Sequence, residues 1–96
     1  MRIAYHSAVE AEVIDAARFY EQKLPGLGGR FLDEFEAAVQ QILKSPGLWR
    51  FVDGERRRFL MPRFPFGIYY RLADDELRIL VVKHHQRHPG YGRGRI

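Results

Sequence analysis

The fold class this sequence predicts is α+β: an N-terminal strand, then an antiparallel two-helix hairpin packed on one face of a mainly antiparallel sheet that closes in a three-strand meander. Two observations carry the prediction. Residues 13–43 hold two apolar stripes at helical spacing, interrupted by Pro25-Gly26-Leu27-Gly28-Gly29. Residues 66–72 instead alternate at the period of a strand, and a turn at Ala73-Asp74-Asp75 separates them from the apolar run Leu77–Lys83.

Each element has its own signal. Residues 2–6 alternate weakly and read as a short opening strand. Ser7, three residues before Glu10, has the spacing of a capping box and marks a helix start. Val13, Ala17, Tyr20 and Leu24 then form one helical stripe, which ends at Pro25-Gly26. Leu27-Gly28-Gly29 reads as a tight link. The second helix carries Phe31, Phe35, Ala38 and Ile42 on its buried stripe, with Asp33, Glu34 and Glu36 early and Lys44 late, as the helix dipole favours. Ser45-Pro46-Gly47 stops it.

Residues 47–55 are expected to be a loop that Trp49 and Phe51 anchor to the core. Arg56–Met61 reads as a strand limited by Pro62 and Pro65. Phe66, Ile68, Tyr70 and Leu72 alternate with Gly67, Tyr69 and Arg71, the pattern of a half-buried strand. Leu77–Lys83 is the most apolar run, expected at the centre of the sheet. The 96 residues make one domain, 1–96, and the glycine-containing residues 91–96 are expected to be a flexible tail.

Composition narrows the function classes. There is no cysteine, which excludes disulfides and thiolate metal sites. No apolar run approaches the roughly 18 residues of a membrane span, and the N-terminus lacks a signal-peptide core, so a cytoplasmic domain without a membrane partner is expected. The formal charge of +4 is unevenly spread: residues 1–50 carry six Lys/Arg against seven Asp/Glu, and residues 51–96 carry ten against five. A one-sided basic surface concentrates polyanions or an acidic protein partner.

The candidate chemistry lies in that second half. Guanidinium groups donate paired hydrogen bonds to phosphate, and Arg56, Arg58, Arg63 and Arg87 are the candidate target or polyanion contacts, with Tyr91 beside them. On a strand, Arg56 and Arg58 share a face while Arg57 points away. Arginines on an exposed face also keep a sheet soluble, an equally ordinary role. His84, His85 and His88 stand close together beside Lys83 and Arg87, where a histidine can exchange protons near neutral pH. The alternative is a histidine bonded to backbone at a strand end. No metal is implied: His84 and His85 project to opposite sides, without a carboxylate or thiol to complete a shell. No cofactor loop appears either, since Gly26-x-Gly28-Gly29 joins two helices rather than following a strand.

Taken in order, several pieces resemble one family. Ser7-Ala8, Phe19-Tyr20-Glu21, Pro25-Gly26-Leu27-Gly28, Arg30-Phe31, Ile42 with Ser45-Pro46, Arg57-Arg58, Arg63-Phe64-Pro65-Phe66-x-Ile68-x-Tyr70 and Val82-x-His84-x-x-Arg87-x-Pro89 together resemble the RelE/ParE superfamily of toxins from bacterial type II toxin–antitoxin systems. The resemblance implies a toxin neutralised by a cognate antitoxin, which alone would bring operator DNA into the complex. It also implies one of two targets. RelE-like members cut mRNA on the ribosome with basic residues, sometimes with histidine or tyrosine. On that branch Lys83, His84, His85 and Arg71 are the implied catalytic set, Arg71 standing in for an arginine that Gly67 replaces. ParE-like members inhibit DNA gyrase by binding, with no catalytic step. The Pro25-Gly26-Leu27-Gly28 hairpin and Phe64-Pro65-Phe66 are more similar to the ParE-like branch, which is the leading expectation. A ribosome-dependent endoribonuclease is the alternative, and a non-toxic binding module descended from the family is the third.

Overall fold

A computed structural model describes residues 1–96 and places two helices against a five-stranded mixed sheet. Strand β1 (Arg2–Tyr5) leads into helices α1 (Val9–Lys23) and α2 (Leu27–Lys44), followed by β2 (Phe51–Asp53), β3 (Arg56–Leu60), β4 (Phe66–Ala73) and β5 (Glu76–His84). The spatial order is β1-β5-β4-β3-β2, with β1 parallel to β5 and the other pairs antiparallel. The expected α+β architecture is the one found. The middle strand is β4 rather than the more apolar β5, which lies one place toward the β1 edge.

The helix starts differ from their sequence signals. Ser7 and Glu10 form no capping box: α1 begins at Val9, and the acceptor comes from His6, whose Nδ1 takes the Ala8 N–H at 3.1 Å. The glycines after Leu27 are helix rather than link. Gly26 adopts φ 90°, a left-handed turn natural to glycine, and α2 begins at the next residue. Glu21 on α1 then caps α2 from outside, accepting the Gly26 and Gly28 N–H groups at 3.0 Å. Gly28 is required by close packing, since a Cβ there would lie 2.5 Å from the Ala17 carbonyl oxygen.

The helices cover one face of the sheet. Phe31, Ile42, Ile68, Tyr70, Leu77 and Ile79 are fully buried in this core, where Tyr20 stacks on Phe31 and the rings of Phe64 and Phe66 meet them edge-on, at separations of 4.8–5.7 Å for Tyr20–Phe31, Tyr20–Phe64, Phe31–Phe64 and Phe31–Phe66. Tyr70 keeps its hydroxyl satisfied by donating to the Pro46 carbonyl at 2.8 Å, and burial pushes its pKa up to about 12. Leu24, placed on the α1 stripe by its spacing, is exposed because the backbone turns extended there. The expected 47–55 loop contains the edge strand β2. Within it Trp49 packs on Phe59, as expected, but Phe51 is exposed beneath the Arg57 guanidinium.

The apolar run in β5 buries both of its faces because of a bulge. Tyr69 pairs with Val81 and Tyr70 with Ile79, so Leu80 is an extra residue in the ladder. Ile79 and Val82 therefore join the helix-facing core, while Leu80 and Val81 form a second small cluster with Tyr69 on the opposite face. No helix is long and apolar enough to cross a membrane.

Candidate functional site: the basic outer face of the sheet

The face turned away from the helices carries Arg56 and Arg58 from β3, Gly67 and Tyr69 from β4, and Lys83 from β5, as strand alternation requires. Arg57 points the other way and donates to the Gly47 and Trp49 carbonyls at 3.1 and 2.7 Å.

Most of these cations are already engaged. Arg56, buried to 6% exposure, grips Asp53 with two bonds of 2.9 Å and lies over the Tyr69 ring. The Arg56 bonds hold the Asp53 carboxyl below its usual range against the opposing effect of burial. Lys83, 7% exposed, also sits over Tyr69, and its Nζ donates to the carbonyls of His88, Pro89 and Tyr91 at 3.4, 3.0 and 3.4 Å. Burial, with the nearby Arg56 and Arg93 charges, lowers its pKa. A lysine so placed closes the turn that follows β5.

The histidines divide. His84 Nδ1 accepts the Gln86 N–H at 3.0 Å and its ring meets Phe66 edge-on, while His88 Nδ1 accepts the Gly90 N–H at 2.9 Å. Both are backbone-bonded turn histidines. His85 makes no such bond, and it joins Arg58, Leu60 and Tyr69 around a shallow hollow of about 230 Å³. Burial first, then His84 and Arg58, lower its pKa below the ordinary imidazole value. Arg58 has no carboxylate partner, and its stem lies within 3.5 Å of where a Gly67 Cβ would stand.

Other predicted residues lie elsewhere. Arg71 stands four positions along β4 from Gly67, opposite Arg78, and faces Glu55 at 3.9 Å. It therefore does not replace an arginine at Gly67. Arg63 lies by the helices, 3.5 Å from Glu34. Arg87 is exposed, its guanidinium 4.0 Å from the Tyr91 ring centre.

Residues 91–96, expected as a flexible tail, are tied down by side chains. Tyr91 Oη donates to Glu12 at 2.6 Å, and Arg95 reaches both Glu12, at 2.6 Å, and the Leu80 carbonyl, at 3.1 Å. Glycine permits this fold-back: Gly92 has φ 73°, and a Cβ there would lie 2.6 Å from Val81. Nothing in local spacing announces the contacts of Glu12 with Tyr91 and Arg95 across most of the chain, whereas Asp53 stands only three residues from Arg56 across the turn between β2 and β3. No three His, Asp or Glu side chains converge as a metal site would need.

With this geometry, the chain matches known proteins along most of its length. The family model for the ParE toxin of the type II toxin–antitoxin system parDE matches residues 3–89. The chain is similar to Toxin ParE2 of Mycobacterium tuberculosis, in strains CDC 1551 / Oshkosh and ATCC 25618 / H37Rv, at 25% identity over 89 residues, covering 92% of this chain and 85% of the relative. A solved structure of the chromosomal ParDE TA system from P. aeruginosa shares the fold, with a TM-score of 0.64 at 21% identity over 88% of this chain and 95% of that one.

Proposed function

Because this chain belongs to the ParE toxin family of type II toxin–antitoxin systems, we propose that it is a toxin that inhibits DNA gyrase by binding and is held inactive by a cognate antitoxin. The observation that carries the reading is that side chains suited to phosphate or proton chemistry are already engaged in structural bonds. Lys83 is spent on backbone carbonyls, His84 on a backbone amide and Arg56 on Asp53. General acid–base cleavage needs a proton donor and acceptor near one reacting point, with free cations to stabilise the developing charge. This face offers a rigid basic surface instead, which suits recognition.

A surface for the antitoxin is available at the opposite edge of the sheet. An apolar groove of about 500 Å³, lined by Tyr5, Val9, Val13, Ile14 and Phe35 among others, runs beside β1, whose outer edge is unpaired. An antitoxin segment with apolar side chains fits this groove.

Purified protein added to gyrase is expected to block supercoiling, and added antitoxin to relieve the block; untouched supercoiling would sink the proposal. The second reading, a ribosome-dependent endoribonuclease, is favoured by one observation, the free His85 beside Arg58. It requires mRNA cuts in a translating extract that disappear with His85→Ala.

A further inference from the structure

Glu12 joins three parts of the molecule that are remote in sequence. Its carboxylate projects from the first turn of α1 and is only 10% exposed. Oε1 accepts the Val82 N–H at 3.0 Å, on the part of β5 that β1 does not reach. Oε2 accepts the Tyr91 hydroxyl and the Arg95 guanidinium, both at 2.6 Å. The same Arg95 nitrogen donates to the carbonyl of Leu80, the bulge residue. Carboxylate and guanidinium thus satisfy ladder groups that the bulge and the short β1 leave without a strand partner, groups that are costly to bury unbonded.

These bonds fix the direction of the chain after β5. The Tyr91 ring packs against the Tyr69, Leu80 and Val81 cluster, and the guanidinium groups of Arg87 and Arg95 lie 4.0 and 4.9 Å from its centre. Arg95 is largely buried and holds the ring in place, whereas Arg87 is exposed on the outer face. Lys83 closes the intervening turn from beneath.

We propose that Glu12 is a positioning residue for target binding: it anchors residues 91–95 as a strap over the β5 bulge and so fixes the Arg87–Tyr91 stack on the same face as Arg58. The inference rests on the reading that this face meets the target. Glu12 contacts no target itself, and its effect passes through Arg95 and Tyr91.

The test compares wild type with Glu12→Gln, Arg95→Gln and the double variant. Glu12→Gln keeps an acceptor for Val82 but replaces the charged acceptor of Tyr91 and Arg95 with an amide NH2, while Arg95→Gln acts from the strap side and leaves the helix untouched. Hydrogen exchange is read at the Tyr91, Arg93 and Arg95 amides, which are bonded within the strap turns. Inhibition of gyrase supercoiling is measured on the same samples. Each single variant is expected to raise exchange and the half-inhibitory concentration by at least about tenfold, the scale of one charge-assisted hydrogen bond. The double variant is expected to lose little more than either single one, because both changes break the same pair. Unchanged exchange in both single variants overturns the strap, and raised exchange with unchanged inhibition overturns the positioning role. A wild type without effect on gyrase defeats the target reading, while the exchange data still judge the strap.

Discussion

The helix-facing side of the sheet buries Phe59, Met61, Phe66, Ile68 and Tyr70 under α1 and α2, whereas the opposite side covers Tyr69, Leu80 and Val81 with turns and cations. The first arrangement is held by burial, which is non-directional and scales with apolar area. The second is held by directed bonds: Lys83 to three carbonyls, Arg56 to Asp53, and Glu12 to Val82, Tyr91 and Arg95. One face therefore fixes the fold, and the other fixes the placement of charges against a thin cover. Substitutions on the two faces should fail in different ways.

The largest effect is expected on the inner face. Phe31→Ala removes a side chain with no exposure from the aromatic stack and should cost about 3–5 kcal/mol in denaturant unfolding. A loss at the level of surface substitutions would mean that the aromatic cluster does not carry the core. Phe35, whose burial the helical stripe predicted, also lines the β1 groove, so Phe35→Ala should fall toward the lower end of the same range.

Gly28→Ala comes next. Its Cβ would meet the Ala17 carbonyl, so the hairpin must splay, at about 1–3 kcal/mol by the same unfolding measurement. An unchanged midpoint would show that the helices approach less closely than described.

The outer face should respond locally instead. Lys83→Met keeps an apolar stem over Tyr69 but leaves the carbonyls of His88, Pro89 and Tyr91 without their donor, at about 0.5–1.5 kcal/mol. Its clearer readout is faster hydrogen exchange at the Tyr91 amide while the helical amides keep their protection. Equal acceleration of helix and turn would erase the distinction between the faces.

The smallest effect concerns His85. Its folded pKa is depressed from 6.5 by burial and by neighbouring charge. Between the folded value and 6.5 the unfolded chain binds more protons, so this residue's contribution to stability falls as pH drops through that window and is constant below it. Histidine NMR titration should place His85 below 6.5; a titration above it would mean that a carboxylate outweighs burial and the His84 and Arg58 charges at the ring.

The two faces also differ in how well the sequence announces them. Helical spacing placed Phe31, Phe35 and Ile42 correctly, and alternation placed Ile68 and Tyr70, because burial on a regular element repeats with that element's period. The same alternation put Arg56 and Arg58 together and Arg57 apart. No such alternation marks the apolar run of β5, where the Leu80 bulge reverses the phase and sends Leu80 and Val81 to the same side. Nor did alternation foresee Glu12 meeting Tyr91, 79 residues away, or the strap those residues form. Such polar contacts depend on tertiary geometry and leave no periodic trace. The resemblance implied Lys83 and Arg71 as catalysts on the RelE-like branch, whereas the structure sets Lys83 against carbonyls and Arg71 at the far end of β4.

On the proposed function, the outer face meets gyrase while the inner face holds the fold. Supercoiling inhibition by wild type and by the Arg58→Ser/Arg87→Ser double variant tests it most directly, with unfolding followed in parallel. Inhibition by wild type is expected, with a loss of at least about tenfold in the variant at a similar unfolding midpoint, since Arg58 and Arg87 have no carboxylate partner to lose. Inhibition by the variant equal to that of wild type, or no inhibition by wild type, would contradict it.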